Sequence, residues 1–192
     1  MVVLKVRWLG NSAVEIEGDK NILIDPAPLN DITIDPDVVL VTHEHDDHFD
    51  PELIDNIAKD VDLYAPKPTL EKFNIQGVQV ENGDTLGDIE VLDCNCWKSK
   101  ESVAYSIEGV LQTGDSNVFP EPDKPVKLVF SACFPENYED YIEEARKLNP
   151  DMVIPFHYNP KEDMEDAERL KSKLEKNNIN SKTLDIKQEI NI

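Results

Sequence analysis

The sequence predicts an α/β protein of mixed sheets covered by helices on their outer faces, and three observations predict it. Apolar runs of strand length recur along the whole chain. Three or four segments with helical spacing are spread among those runs rather than gathered at one end, which is the pattern of layered α/β folds. At 192 residues the chain is long enough for one sizeable core and short for two, so residues 1–192 are expected to form a single domain.

Val2 to Trp8 alternates as a strand, and Ala13 to Ile16 continues it after the turn-like trio Gly10-Asn11-Ser12. A further turn at Glu17-Gly18-Asp19-Lys20 leads into Asn21 to Asp25. Pro26 to Pro36 is loop, because proline removes amide donors and blocks helix. Val38 to Thr42 is a continuous apolar strand of the kind buried on both faces. A helix starts at Asp50-Pro51-Glu52, with an acidic cap, proline in the first turn and an acid behind it, and Leu53, Ile54 and Ile57 form its apolar face. Asp62 to Ala65 is a strand, Thr69 to Phe73 a short helix and Val78 to Val80 another strand.

Asp88 to Cys94 alternates weakly before a polar loop that reaches Ser102. Val103 to Ile107 and Val110 to Thr113 form a hairpin about Glu108-Gly109. Lys127 to Ser131 is a strand. Tyr138, Tyr141, Ile142, Ala145 and Leu148 recur at helical spacing up to Asn149-Pro150, with the two tyrosines read as core packing. Met152 to Phe156 is a strand, Met164, Ala167, Leu170 and Leu174 line a helix over 161–176, and Thr183 to Ile186 closes the chain.

Composition narrows the function classes. A net charge of −21 repels phosphate backbones, so nucleic acid is a disfavoured partner and a small-molecule substrate the expected one. No run approaches the roughly 18 apolar residues needed to span a bilayer, which speaks against a membrane partner. Cys94, Cys96 and Cys133 are odd in number and suggest no disulfide framework, and Cys133 is read as a small buried apolar residue. The N-terminus lacks the layout of a signal peptide, and a cytoplasmic protein is expected.

The chemistry concentrates in Thr42-His43-Glu44-His45-Asp46-Asp47-His48, where the Val38–Val41 run stops. Three imidazoles and three carboxylates fall within six residues, and the chain has only one other histidine, His157, which also follows an apolar run. Neutral imidazole is the commonest protein metal ligand and carboxylate its usual partner for borderline divalent ions. A solvated polar loop has no reason to gather three of four histidines, so the cluster reads as a metal centre at a strand end. Asp115, in Gly114-Asp115-Ser116, occupies another strand end, and loops at strand ends are where rigid scaffolds hold functional groups.

His43-x-His45-x-Asp47-His48, then Gly114-Asp115, then Pro155-Phe156-His157-Tyr158, resembles the metallo-β-lactamase superfamily of metal-dependent hydrolases. Trp8-Leu9-Gly10-Asn11-Ser12 and Ile24-Asp25-Pro26 look like the opening of the branch that contains L-ascorbate-6-phosphate lactonase. The resemblance implies a four-layer αββα sandwich with metals at one edge between the sheets. It implies that His43 and His45 hold a first metal, that Asp47, His48 and His157 hold a second, and that Asp115 bridges them. It further implies one or two divalent ions, zinc before manganese or iron, and a metal-bound hydroxide as nucleophile. Asp47 would serve as proton shuttle if one metal is present, and Asp25 would orient a ligand. Glu44 and Asp46 are spacer positions expected to face solvent.

One departure from the family stands out. The loop before the hairpin, which in the family supplies a third histidine to the first metal, reads Cys94-Asn95-Cys96-Trp97-Lys98-Ser99-Lys100-Glu101. Cys94 or Cys96 could replace that histidine, the first site could bind weakly, or hydrolytic activity could be degraded. Asn11 stands where many members carry histidine, and Lys98 and Lys100 are read as solvated. The resulting expectation is a hydrolase of a small ester, lactone, amide or phosphoester. The alternative is a metal- or ligand-binding protein on the same fold with little or no catalysis. A redox di-iron protein is disfavoured, because the motif lacks the glutamate substitution of that family's iron site.

Overall fold

A computed structural model describes residues 3–29, 31–57 and 61–192. Its elements in chain order begin with β1 (Lys5–Trp8), β2 (Val14–Glu17), β3 (Asn21–Ile24) and β4 (Val38–Leu40), followed by α1 (Pro51–Asp55). Next come β5 (Asp62–Ala65), α2 (Lys67–Phe73), β6 (Val78–Gln79), β7 (Thr85–Leu86) and β8 (Ile89–Asp93). The hairpin strands β9 (Val103–Ile107) and β10 (Val110–Gln112) precede β11 (Leu128–Ala132), a 3-10 turn at Pro135–Asn137 and α3 (Tyr138–Leu148). The chain ends with β12 (Met152–Phe156), α4 (Met164–Lys176) and β13 (Glu189–Asn191).

The chain divides into two compact units, neither of them continuous in sequence. The first takes in the chain up to Val80 together with Lys98–Glu101 and Leu184–Ile192, and the second is Glu81–Trp97 with Ser102–Thr183.

The first unit is built on a sheet in the order β13-β1-β2-β3-β4-β5-β6. Pairing is antiparallel from β13 through β3 and parallel from β3 through β6. Leu9, Ala13, Leu23, Val39, Val41, Phe49, Leu63 and Ala65 form a buried cluster, and Leu53 and Ile54 of α1, with Ile57 beyond it and Leu70 and Phe73 of α2, pack against it. Phe49 lies 4.9 Å from Phe73, ring centre to ring centre, and burying it fixes the chain immediately after His48. Such a side chain contributes about 1.5–3 kcal/mol by burial.

The second unit carries a sheet in the order β12-β11-β10-β9-β8-β7, antiparallel from β7 through β10 and parallel from β10 through β12. The β9–β10 turn places Glu108 at φ 49° and Gly109 at φ 94°, the primed geometry that matches strand twist in a two-residue hairpin. Tyr138, Tyr141, Ile142 and Ala145 are the buried face of α3, as the helical spacing predicts. Cys133 is buried, and burial together with the charges of Asp166 and Asp163 pushes its thiol up to about 12.

Each sheet therefore has an antiparallel half and a parallel half, and the residues singled out for chemistry follow the carboxyl ends of the parallel strands. Asp25 follows β3, Thr42 to His48 follow β4, Asp115 follows β10 and His157 follows β12. Parallel strand ends expose backbone groups and helix starts at one edge, the usual position of ligand sites in α/β sheets.

Several boundaries differ from those read in the sequence. Val2 and Asn30 lie outside the described residues. β4 stops at Leu40 because Thr42 turns its amide to the Asp25 carboxylate instead of a neighbouring strand. α2 starts two residues early, since Pro68 fits the first turn. α4 starts at Met164 rather than at Lys161. β7 gave no periodic signal, being two residues long. Thr183 to Ile186 is not a strand; the closing strand is β13, an edge strand whose outward residues hide its period. No helix among the described residues is long and apolar enough to cross a membrane.

Candidate metal centre

In the first unit the ligand-type side chains are set by a buried network around Asp25. Asp25 is fully buried at φ 48°, a left-handed conformation that aspartate tolerates better than most residues. Its carboxylate accepts from the Thr42 amide at 2.7 Å and from the Thr42 hydroxyl at 2.9 Å. A carboxylate only accepts, so His48 Nδ1, 2.9 Å from Asp25 Oδ2, must donate. Because the Thr42 proton is committed to Asp25, the Thr42 oxygen accepts from His43 Nδ1 at 2.9 Å. Both rings then carry their proton on Nδ1 and present an Nε2 lone pair. This is the carboxylate–histidine device that fixes tautomer and ring orientation in metal sites.

His43 Nε2 lies 3.1 Å from His45 Nδ1, and the His43 ring centre lies 3.9 Å from that of His48. A nitrogen lone pair facing another imidazole nitrogen at that distance is satisfied by one proton or one cation between them. Asp47 and His48 each bring a ligand atom within 4.8 Å of the other. Asn11 Nδ2 and Ser12 Oγ both donate to the Asp47 carbonyl, at 2.8 and 2.6 Å, and fix the backbone there. Asn11 thus takes an anchoring role at the Asp47 backbone.

Glu44 corrects an expectation. It does not face solvent: it is 7% exposed and accepts from the Ser99 hydroxyl and the Lys100 amide, each at 2.7 Å. Burial opposes its charge, but those two donors prevail and hold its carboxyl below the ordinary value. Glu44 therefore clamps the segment Lys98–Glu101. Asp46 is exposed as expected and pairs with Lys72, which also donates to the Glu44 carbonyl.

In the second unit two ligand-type side chains, those of His157 and Cys96, meet around the carboxylate of a third, Asp115. His157 Nε2 is 3.2 Å from Asp115 Oδ1, and Cys96 Sγ is 3.5 Å from Asp115 Oδ2. His157 is held at φ 63°, and strained backbone at a non-glycine residue persists only where surrounding structure imposes it. Cys94 is different: its thiol donates to the Thr113 carbonyl at 3.3 Å. Lys98 and Lys100 are exposed.

The proposed ligands of each unit are thus gathered within that unit: His43, His45, Asp47 and His48 in the first, Asp115 and His157 in the second. The donor set is imidazole, carboxylate and thiol, which suits a borderline divalent ion such as zinc. Sequence reasoning missed the role of Thr42 and the clamp at Glu44. A hydroxyl residue at the end of a buried strand, directly before the first histidine, was the one signal available for Thr42. Glu44 gave none, because its partners lie 55 and 56 residues away.

Comparison with known proteins places these features in a family. A model described as the β-lactamase superfamily domain matches residues 5–113, more than half of the chain. A protein of Methanosphaerula palustris named as a metal-dependent hydrolase is 28% identical over 202 residues, covering 90% of this chain and 92% of its own length. Among solved structures, a metallo hydrolase of Ignicoccus hospitalis superposes with a TM-score of 0.78 at 17% identity, covering 99% and 98% of the two chains. A metallo-β-lactamase fold protein of Bacillus subtilis gives 0.76 at 14% identity with full coverage of both.

Proposed function

The chain belongs to the metallo-β-lactamase superfamily and has its fold, and on that premise we propose that it is a metal-dependent hydrolase of a small ester, lactone, amide or phosphoester. In this reading residues 1–192 would act as one domain, His43 and His45 would hold a first ion, Asp47, His48 and His157 a second, and Asp115 would be a further ligand. The ions are divalent, with zinc favoured by the nitrogen-rich donors and manganese or iron as alternatives. What such ions supply is acidification of water to a pKa of roughly 7 and a Lewis acid for the scissile carbonyl or phosphoryl oxygen.

The chain's own residues do the rest. Asp25 and Thr42 hold the His48 and His43 rings in the tautomer that presents Nε2. Asn11 and Ser12 hold the Asp47 backbone, and with one metal bound the exposed Asp47 carboxylate would take up and return a proton. The observation that carries the reading is the Asp25 network, in which a buried carboxylate orients the His48 ring directly and the His43 ring through Thr42, as the supporting groups of metal-binding histidines do.

Elemental analysis of the purified chain, followed by turnover of ester, lactone and phosphodiester probes before and after chelation, tests the proposal. The expected result is one or two metals per chain and an activity lost with chelator and restored by zinc or manganese. Less than one metal per chain with no turnover at saturating metal would sink it. Bound metal with no turnover on any probe class would instead favour the second reading, a binding protein on this fold. The absence of histidine from residues 94–101 is the observation behind that reading.

A further inference from the structure

We propose that the Cys96 thiolate is itself a metal ligand, in the place of the histidine that this loop lacks. The inference rests on the metal-centre reading above and deepens it.

The loop Cys94–Glu101 offers two thiols two residues apart, and their surroundings separate them. Cys94 is committed to a backbone carbonyl, that of Thr113. Cys96 Sγ lies 3.7 Å from the Trp97 carbonyl and 3.5 Å from Asp115 Oδ2, and Asp115 Oδ1 lies 3.2 Å from His157 Nε2, so sulfur, oxygen and nitrogen ligand atoms are gathered together around Asp115. Cys96 and Asp115 thus bring ligand atoms within 4.8 Å of each other, close enough to share one cation. With zinc–sulfur bonds of about 2.3 Å and zinc–oxygen bonds of about 2.0–2.2 Å, a separation of 3.5 Å is what two ligands on one ion require.

The loop is also held before any metal arrives. The Cys96 amide donates to Ser102 Oγ at 3.3 Å, and that hydroxyl donates to the Cys94 carbonyl at 2.6 Å. The Asn95 amide donates to Ser116 Oγ, which ties the loop to the turn that carries Asp115. On the far side, Glu44 fixes Ser99 and Lys100. A ligand supported at both flanks gives up little conformational freedom on binding.

Metal binding exchanges the thiol proton for the ion: the S–H bond breaks, an S–metal bond forms, and the proton leaves to solvent. A thiolate donor shifts preference toward zinc and cobalt and away from magnesium and calcium.

The test is cobalt titration of metal-free protein, read by thiolate-to-cobalt charge-transfer absorption alongside cobalt stoichiometry. The band is expected in the unaltered protein and in Cys94→Ser and to be absent in Cys96→Ser, which should bind cobalt at least about tenfold more weakly. Cobalt bound without the band, or a band that survives Cys96→Ser, overturns the proposal while leaving the hydrolase reading intact. No cobalt bound by the unaltered protein overturns both. Should Cys96→Ser fail to fold, alkylation of the unaltered protein with iodoacetamide decides by peptide mass spectrometry. Cobalt should slow modification of Cys96 by about tenfold or more and leave Cys94 unchanged; equal protection of both, or of neither, overturns the assignment.

Discussion

The two ligand-bearing regions are built in opposite ways. In the first unit, His43, His45, Asp47 and His48 are neighbours in sequence, and a buried carboxylate from another strand end orients two of them, His48 directly and His43 through Thr42. In the second, Cys96, Asp115 and His157 come from three separate loops and meet only because β8, β9, β10, β11 and β12 are neighbours in one sheet. A local cluster needs orientation, and a dispersed one needs register. The first region should therefore be sensitive to its packing and its hydrogen-bonded support, the second to the ties between its loops.

Phe49→Ala should show the first dependence most strongly. It empties a site in the buried cluster directly after His48, and denaturant unfolding should register a loss of about 3–5 kcal/mol. A loss below 1 kcal/mol would mean that the loop is not anchored there. Asp25→Ala comes next, removing the acceptor shared by the Thr42 amide, the Thr42 hydroxyl and His48 Nδ1. Stability should drop by about 2–3 kcal/mol, and calorimetric zinc affinity by about 10–100-fold. Unchanged affinity would show that the network does not orient His48 for metal.

Glu44→Ala is expected to cost about 1–2 kcal/mol and to release Lys98–Glu101. Limited trypsin digestion should then cut after Lys98 or Lys100 faster than in the unaltered chain, and equal rates would contradict the clamp. Ser102→Ala carries the comparison into the second region at a cost of about 1 kcal/mol, because it unties Cys96 from Cys94. Its melting temperature should fall less than that of Glu44→Ala.

The remaining effect is nil at neutral pH and appears only in alkali. Burial pushes Cys133 and Tyr138 each up to about 12, and Tyr141 upward as well. Above pH 9 the unfolded chain loses the Cys133 proton that the folded chain keeps, so stability should fall as pH rises toward 12. Cys133→Ala should delay the onset of that fall to the tyrosine range in pH-dependent thermal melts. An identical onset would place the loss elsewhere.

How much was legible follows the same division. The strands at 38–40, 103–107 and 152–156 and helix α3 were readable because each buries a continuous run or a full helical face. The candidate site at 43–48 was readable because its ligand-type residues are nearly consecutive. β7 and β13 were not, since two or three half-exposed residues carry no period. Glu44 was misread as solvent-facing, because a spacer position says nothing of a partner more than fifty residues away.

By itself the sequence determined the inventory of ligand-type residues, the strand ends that bear them and the absence of histidine from residues 94–101, because residue identity and local apolar periodicity are written in order along the chain. The tertiary structure decided which groups work together. It gave His43 and His48 their tautomers through Asp25, turned Glu44 inward, and aimed Cys96 rather than Cys94 at Asp115. Those outcomes depend on contacts between segments distant in sequence, and a hydrogen bond between such segments exists only once sheet register has brought them within 3 Å or so.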